Sequence, residues 1–197
     1  EFAVEVTATS TETNGDTASV TTVVGIDTDA ADDTTTVMDD GVNVLDTSSS
    51  ENGQFVVGSD GSDDISTGSG SDLVFGGDGD DSIDAGGGND LMIGGSGNDT
   101  FEGGEGDDAA FGGAGDDLFI FGAGDGSDFF SGGDGWSDTV QLDATAGDFG
   151  APGGWDVQVD GDMAVTQTEN TLEFESEASG TITLSDGSEL TFEGVDK

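Results

Sequence analysis

The chain has 197 residues, of which 31% are apolar, 37 are glycine and none is cysteine or histidine. Its 45 acidic residues face a single basic one, Lys197, for a formal charge of -44. This excludes a large apolar core, disulfides, thiolate or imidazole metal sites and a histidine base. It also argues against nucleic acid and anionic membrane, and leaves cations as the natural partner.

Glycine and self-repelling carboxylates both oppose folding, so a source of binding energy besides apolar burial is required. No apolar run is long enough to span a membrane, and no basic segment precedes an apolar one as in a secretion leader. The abrupt start at Glu1-Phe2 suggests a processed or cut product.

Residues 1–57 are rich in Thr, Asp, Val and Ser. Apolar residues alternate at Phe2, Val4 and Val6, and again over Val20 to Ile26 and Val42 to Leu45. They read as short strands, with an acidic linker as the competing reading.

From Gly58 the text runs in nines: GSDGSDDIS, TGSGSDLVF, GGDGDDSID, AGGGNDLMI, GGSGNDTFE, GGEGDDAAF, GGAGDDLFI. Position four is always glycine, at Gly61, Gly70, Gly79, Gly88, Gly97, Gly106 and Gly115. Position six is always aspartate, at Asp63, Asp72, Asp81, Asp90, Asp99, Asp108 and Asp117. Position eight is always apolar, at Ile65, Val74, Ile83, Met92, Phe101, Ala110 and Phe119. Three columns agreeing in this way define a repeat architecture rather than a flexible glycine-rich linker.

Two looser units follow, ending at Asp128-Phe129-Phe130 and Asp138-Thr139-Val140, where the spacing lengthens and the array frays into a cap. The repeat region is thus bounded at 58–142. Residues 143–197 read as a meander through Trp155, Val157 and Val159; Met163 and Val165; Leu172 and Phe174; Ile182 and Leu184; Leu190 and Phe192. Asp160-Gly161 and Asp186-Gly187 are hairpin-turn signals within it. Helix signals are nearly absent, so the expected fold is all-β: a parallel β-roll, or right-handed solenoid, between a short N-terminal β segment and a C-terminal antiparallel meander.

The repeat also has a chemistry. Ca²⁺ takes about six to eight oxygens at about 2.3 to 2.6 Å, more than one carboxylate per turn supplies. Glycines let the backbone take positive φ and present carbonyls, while position six adds charge. The last three residues suit a very short strand with position eight pointing inward. If turn and strand alternate, two nonapeptides make one coil and each turn stacks on the turn two repeats away. Asp63, Asp81, Asp99 and Asp117 then line one edge, and Asp72, Asp90, Asp108 and Asp128 the other, with several calcium ions between stacked turns. Each column repels itself without a divalent ion, so metal binding and folding are expected to be one event.

This pattern resembles the RTX (repeats-in-toxin) calcium-binding nonapeptide repeats of bacterial proteins exported through type I secretion channels. The resemblance implies that the position-six aspartates and turn carbonyls ligate Ca²⁺ together. It further implies that the chain stays unfolded until it meets external calcium, which places it outside the cell or on its surface. Departures are Thr67 and Ala85 at the first glycine and Ser59 at the second, expected to weaken their turns, and the small interior Ala110, expected to thin the core.

Sorting the repeats by parity separates two outer faces. Odd repeats carry mostly polar residues at positions seven and nine: Asp64 and Ser66, Ser82 and Asp84, Thr100 and Glu102. Even repeats carry Leu73 and Phe75, Leu91 and Ile93, Ala109 and Phe111, then Phe129. An apolar face of that size calls for a cover. The meander, or the N-terminal segment, is the expected one, and a second copy forming a dimer or filament is the alternative.

No constellation here supports catalysis, since pairs such as Asp80-Asp81 are explained as solvated or metal-facing. Two functional readings remain. One is a calcium-stiffened structural or adhesive module of an extracellular surface, matrix or filament. The other is the secretion-and-folding tail of a larger exported protease or lipase. The scarcity of lysine and arginine also suggests a saline, marine setting in which salt screens the repulsion.

Overall fold

A computed structural model describes residues 2–11, 17–26, 34–38, 41, 43–135, 137–143, 155–159, 165–167, 172–174 and 178–195. Among these there is no helix. Phe2–Thr11 and Thr17–Ile26 pair antiparallel, with Phe2 opposite Ile26. Val165–Gln167 and Leu172–Phe174 form a second small antiparallel pair. Met163 and the Asp160-Gly161 turn lie outside the described residues.

The centre is a parallel β-solenoid with one sheet on each side. Six strands form the first sheet: Val44–Asp46, Asp64–Ser66, Ser82–Asp84, Thr100–Glu102, Leu118–Phe121 and Thr139–Leu142. The second begins with Thr34–Val37, Gln54–Val57, Leu73–Asp78, Leu91–Ser96, Ala109–Ala114 and Ser127–Asp134. Odd repeats supply the first sheet and even repeats the second, so two nonapeptides make one coil.

The register follows from the repeat. Position eight of each odd repeat pairs with its equivalent in the next coil, in the column Leu45, Ile65, Ile83, Phe101, Phe119, Val140. The opposite column is Val56, Val74, Met92, Ala110, Phe130. Ile65 through Phe119 and Val56 through Phe130 in these columns are buried, because a three-residue strand turns only its middle side chain inward. Ala110 is itself fully buried. Its sheet neighbour Phe130 reaches across to Phe119, stacked at a centroid distance of 5.4 Å, and to Phe101 at 6.3 Å.

Solenoid pairing begins before the glycine-rich text. Thr34 pairs with Gln54 and Val44 with Asp64. Part of the segment read as preceding the roll therefore forms its first coils. The meander also differs from expectation. Glu189–Val195 runs parallel beside Ser127–Asp134, placing Phe192 next to Phe130. Ala178–Leu184 and Trp155–Val159 then add antiparallel strands. These strands lengthen the second sheet edge to edge, which corrects the expectation that they cover its outer face. The unused edge of Ser127–Asp134 offered a hydrogen-bond ladder as well as apolar contact, and the meander takes both.

That outer face carries two columns, Phe55, Leu73, Leu91, Ala109, Phe129 and Val57, Phe75, Ile93, Phe111, Ser131. Phe55 meets Phe75 edge-on at 6.0 Å, and Phe111 meets Phe129 at 5.6 Å. Leu73, Phe75, Leu91, Ile93, Ala109 and Phe129 are half-buried, while Phe55 and Phe111 are exposed.

Candidate metal centre

The position-six aspartates lie in two ladders, one along each edge of the solenoid. On the first edge, the N–H of Asp63 donates to Asp81 Oδ1 at 2.8 Å, Asp81 to Asp99 at 2.9 Å, and Asp99 to Asp117 at 2.8 Å. On the second, Asp72 donates to Asp90 at 2.7 Å, Asp90 to Asp108 at 2.9 Å, and Asp108 to Asp128 at 3.0 Å. All eight predicted aspartates are buried at 5% exposure or less.

The glycines make room for this stacking. From the third repeat to the seventh, positions two and four both take positive φ, as at Gly95 (125°) and Gly97 (130°), and the Gly97 N–H donates to Ala114 O at 2.7 Å in the next coil. Position four does the same at Gly61, Gly79, Gly88, Gly106 and Gly115, bonding one turn to the next. Gly70 occupies the equivalent place, where an added Cβ would strike the backbone of Asn52 and Gly53. At position one the need is space: a Cβ at Gly94 would collide with Asp99 Oδ2. The second edge nevertheless accommodates Thr67 and Ala85 there. Both are buried, and the Thr67 hydroxyl donates to Ala85 O at 2.9 Å.

Each ladder hydrogen bond uses Oδ1. The other oxygen, Oδ2, is buried without a hydrogen-bond partner in Asp72, Asp81, Asp90, Asp99, Asp108, Asp117 and Asp128. A buried carboxylate oxygen without a partner is costly, and seven at repeat spacing point to a cation as the missing partner. Among the described residues no three carboxylates gather at one point. Each turn therefore offers one or two carboxylates and a set of backbone carbonyls, the hard oxygen donors that suit Ca²⁺.

Electrostatics agrees with the geometry. Burial, in the first place, raises Asp81, Asp108 and Asp117 from 3.8 to about 6, Asp90 and Asp99 to about 7, and Asp128 to about 8. The N–H of the preceding coil opposes the rise, and neighbouring carboxylates add to it. Adjacent negative charges out of water favour the proton or another cation.

Two features escaped the sequence reading. Asp138, buried at 1%, was placed in a looser unit but not among the ligands, and it extends the first ladder by accepting from the Asp117 N–H at 2.8 Å. Position five, always Ser, Asp or Asn, builds an outer exposed ladder, in which Asn98 N–H donates to Asp80 and Asp116 N–H to Asn98, both at 2.8 Å. That column of short polar acceptors was visible in the repeats.

A family model, RTX calcium-binding nonapeptide repeat (4 copies), matches residues 57–92 and 93–126. No curated protein matches the chain.

Proposed function

Because residues 57–126 carry RTX calcium-binding nonapeptide repeats, we propose that the chain is an extracellular, non-enzymatic structural or adhesive protein whose roll folds on meeting Ca²⁺ after secretion. The observation that carries this is the run of seven buried Oδ2 atoms without hydrogen-bond partners. When bound, Ca²⁺ supplies positive charge and a ligand shell that accepts those oxygens together with turn carbonyls.

The chain's residues do the rest. Position-six N–Hs hold Oδ1 and so aim each carboxylate, glycines bring consecutive turns together, and position-eight side chains close a dry interior. Before the ion arrives, stacked carboxylates repel one another, so ordering and ion uptake are coupled. The low-calcium interior of a cell would leave the chain extended for export, in keeping with the type I secretion of the proteins it resembles. The in-register columns of Phe55, Phe75, Ile93, Phe111 and Phe129 support a further role for the second sheet in self-association.

Circular dichroism titrated with Ca²⁺ and separately with Mg²⁺ tests the proposal. Calcium should produce a cooperative rise in sheet signal, and magnesium, which demands a smaller octahedral shell, should not. Full sheet signal in chelator, or an equal response to both ions, sinks it.

A further inference from the structure

The turns just before the glycine-rich repeats contain the repeat's geometry without its chemistry. Asn43 is one residue before the Val44↔Asp64 pair and so aligns with Asp63, while Gln54 aligns with Asp72. Both are position-six residues by register, and both are amides. Their backbone N–Hs enter the ladders as an aspartate's would, Asn43 to Asp63 Oδ1 at 3.0 Å and Gln54 to Asp72 Oδ1 at 2.6 Å.

Their side chains behave differently from aspartate. Asn43 Nδ2 donates to Gly41 O at 2.9 Å, and Gln54 Nε2 donates to Asn52 O at 2.8 Å. Each receiving carbonyl lies two residues earlier, at position four of its turn, so the same contact occurs once on each edge. Gln54 Nε2 also reaches Ser50 Oγ at 2.9 Å and Gly53 O at 3.4 Å, and Gln54 is buried at 5%. Asn43 Nδ2 further donates to Asp63 Oδ1 at 3.0 Å, while Asp63 Oδ2 accepts from the Ser59 N–H at 3.4 Å.

An amide N–H carries partial positive charge and bonds carbonyl oxygen as a cation does, but without needing six or more ligands. We infer that Asn43 and Gln54 terminate the two calcium ladders, each amide satisfying within its own turn the oxygens that later coils offer to an ion. Partnerless oxygens begin at Asp81 on the first edge, two coils beyond Asn43, and at Asp72 on the second, one coil beyond Gln54. The two turns that end at Asn43 and Gln54 are then free of ions. Neutral amides also end each column of carboxylates without adding a charge to it.

This inference rests on the calcium reading. The test is bound calcium per folded chain, measured by equilibrium dialysis on the full chain with circular dichroism as the check on folding. Gln54→Glu and Asn43→Asp keep the side-chain shape and exchange donor for acceptor, and each should gain one ion over wild type. Gln54→Leu removes the donor without supplying a carboxylate and should keep the wild-type count. Wild-type counts in both acidic variants, failure of both to fold in saturating calcium, or an extra ion in Gln54→Leu would overturn it. A wild-type chain that binds no calcium defeats the underlying reading as well, and is distinguished by the wild-type measurement alone.

Discussion

The repeat coils and the C-terminal hairpin share one nine-stranded sheet, yet they treat aspartate in opposite ways. In the hairpin of Ala178–Leu184 and Glu189–Val195, Asp186 stands at the turn. There the Ser188 N–H donates to Oδ1 at 3.1 Å and the Ser188 hydroxyl to Oδ2 at 3.0 Å, holding the carboxyl below its usual range. The hairpin buries Ile182, Leu184, Leu190 and Phe192, an ordinary apolar face on alternating strands. In the coils, seven position-six aspartates have one oxygen bonded and the other buried with no partner, and in six of them, Asp81, Asp90, Asp99, Asp108, Asp117 and Asp128, burial drives the proton affinity up. One region supplies its own hydrogen-bond partners; the other reserves oxygens for an ion.

Chelation should separate the two regions most strongly. In hydrogen exchange on the full chain, protection of Leu73–Asp78, Leu91–Ser96 and Ala109–Ala114 should fall to that of an unfolded chain, while residual protection survives around Leu184 and Leu190. Coil protection that outlasts chelation would break the comparison.

Acid should act as a weak substitute for the ion. The folded-state values of Asp81 through Asp128, about 6 to about 8, lie above the ordinary 3.8. The metal-free fold therefore binds more protons than the unfolded chain. Its stability is greatest below about pH 4 and is lost as pH rises through the range from about 6 to about 8. In chelator, sheet signal should grow as pH falls from 8 toward 4. Loss of sheet signal on mild acidification would contradict this.

Within one ladder, Asp99→Asn should cost more than Asp63→Asn, because Asp63 has both oxygens hydrogen-bonded and Asp99 has one without a partner. We expect Asp99→Asn to raise the calcium midpoint by about tenfold, on the order of 1.4 kcal/mol, and Asp63→Asn by much less. Equal shifts would show that the two positions do not differ. The smallest effect should come from Phe111→Ser on the exposed apolar face. It should change stability by no more than about 0.5 kcal/mol in calcium, while reducing concentration-dependent sedimentation. An unchanged sedimentation profile would remove that face from the proposed self-association.

The coils were legible because three independent columns, glycine, aspartate and apolar, specify turn, ligand and core in turn. Their parity also gave the two sheets. The coils at 34–57 were not legible, because they keep the solenoid's pairing while losing the glycine and aspartate signature. Their register steps by 20 residues, as from Thr34 to Gln54, rather than the 18 that separates Leu73 from Leu91. Asn43 and Gln54 escaped notice since an amide gains meaning only from the residue it stacks on. The Asp186-Gly187 turn was readable, with Gly187 at φ 102°, but the parallel pairing of its second strand with Ser127–Asp134 was not. That contact joins residues some sixty positions apart, and alternation within a strand names a face without naming a neighbour.

The 18-residue step within the coils gives the molecule an arithmetic of length. Each coil touches mainly the one before and the one after, so removing residues 76–93 would shorten the rod by one storey and bring matching surfaces together. Removing only nine would join an odd turn to an odd turn, exchange the greasy wall for the wet one beyond the cut, and leave phenylalanine columns opposite aspartate. Such a rod can change size in evolution only by whole storeys.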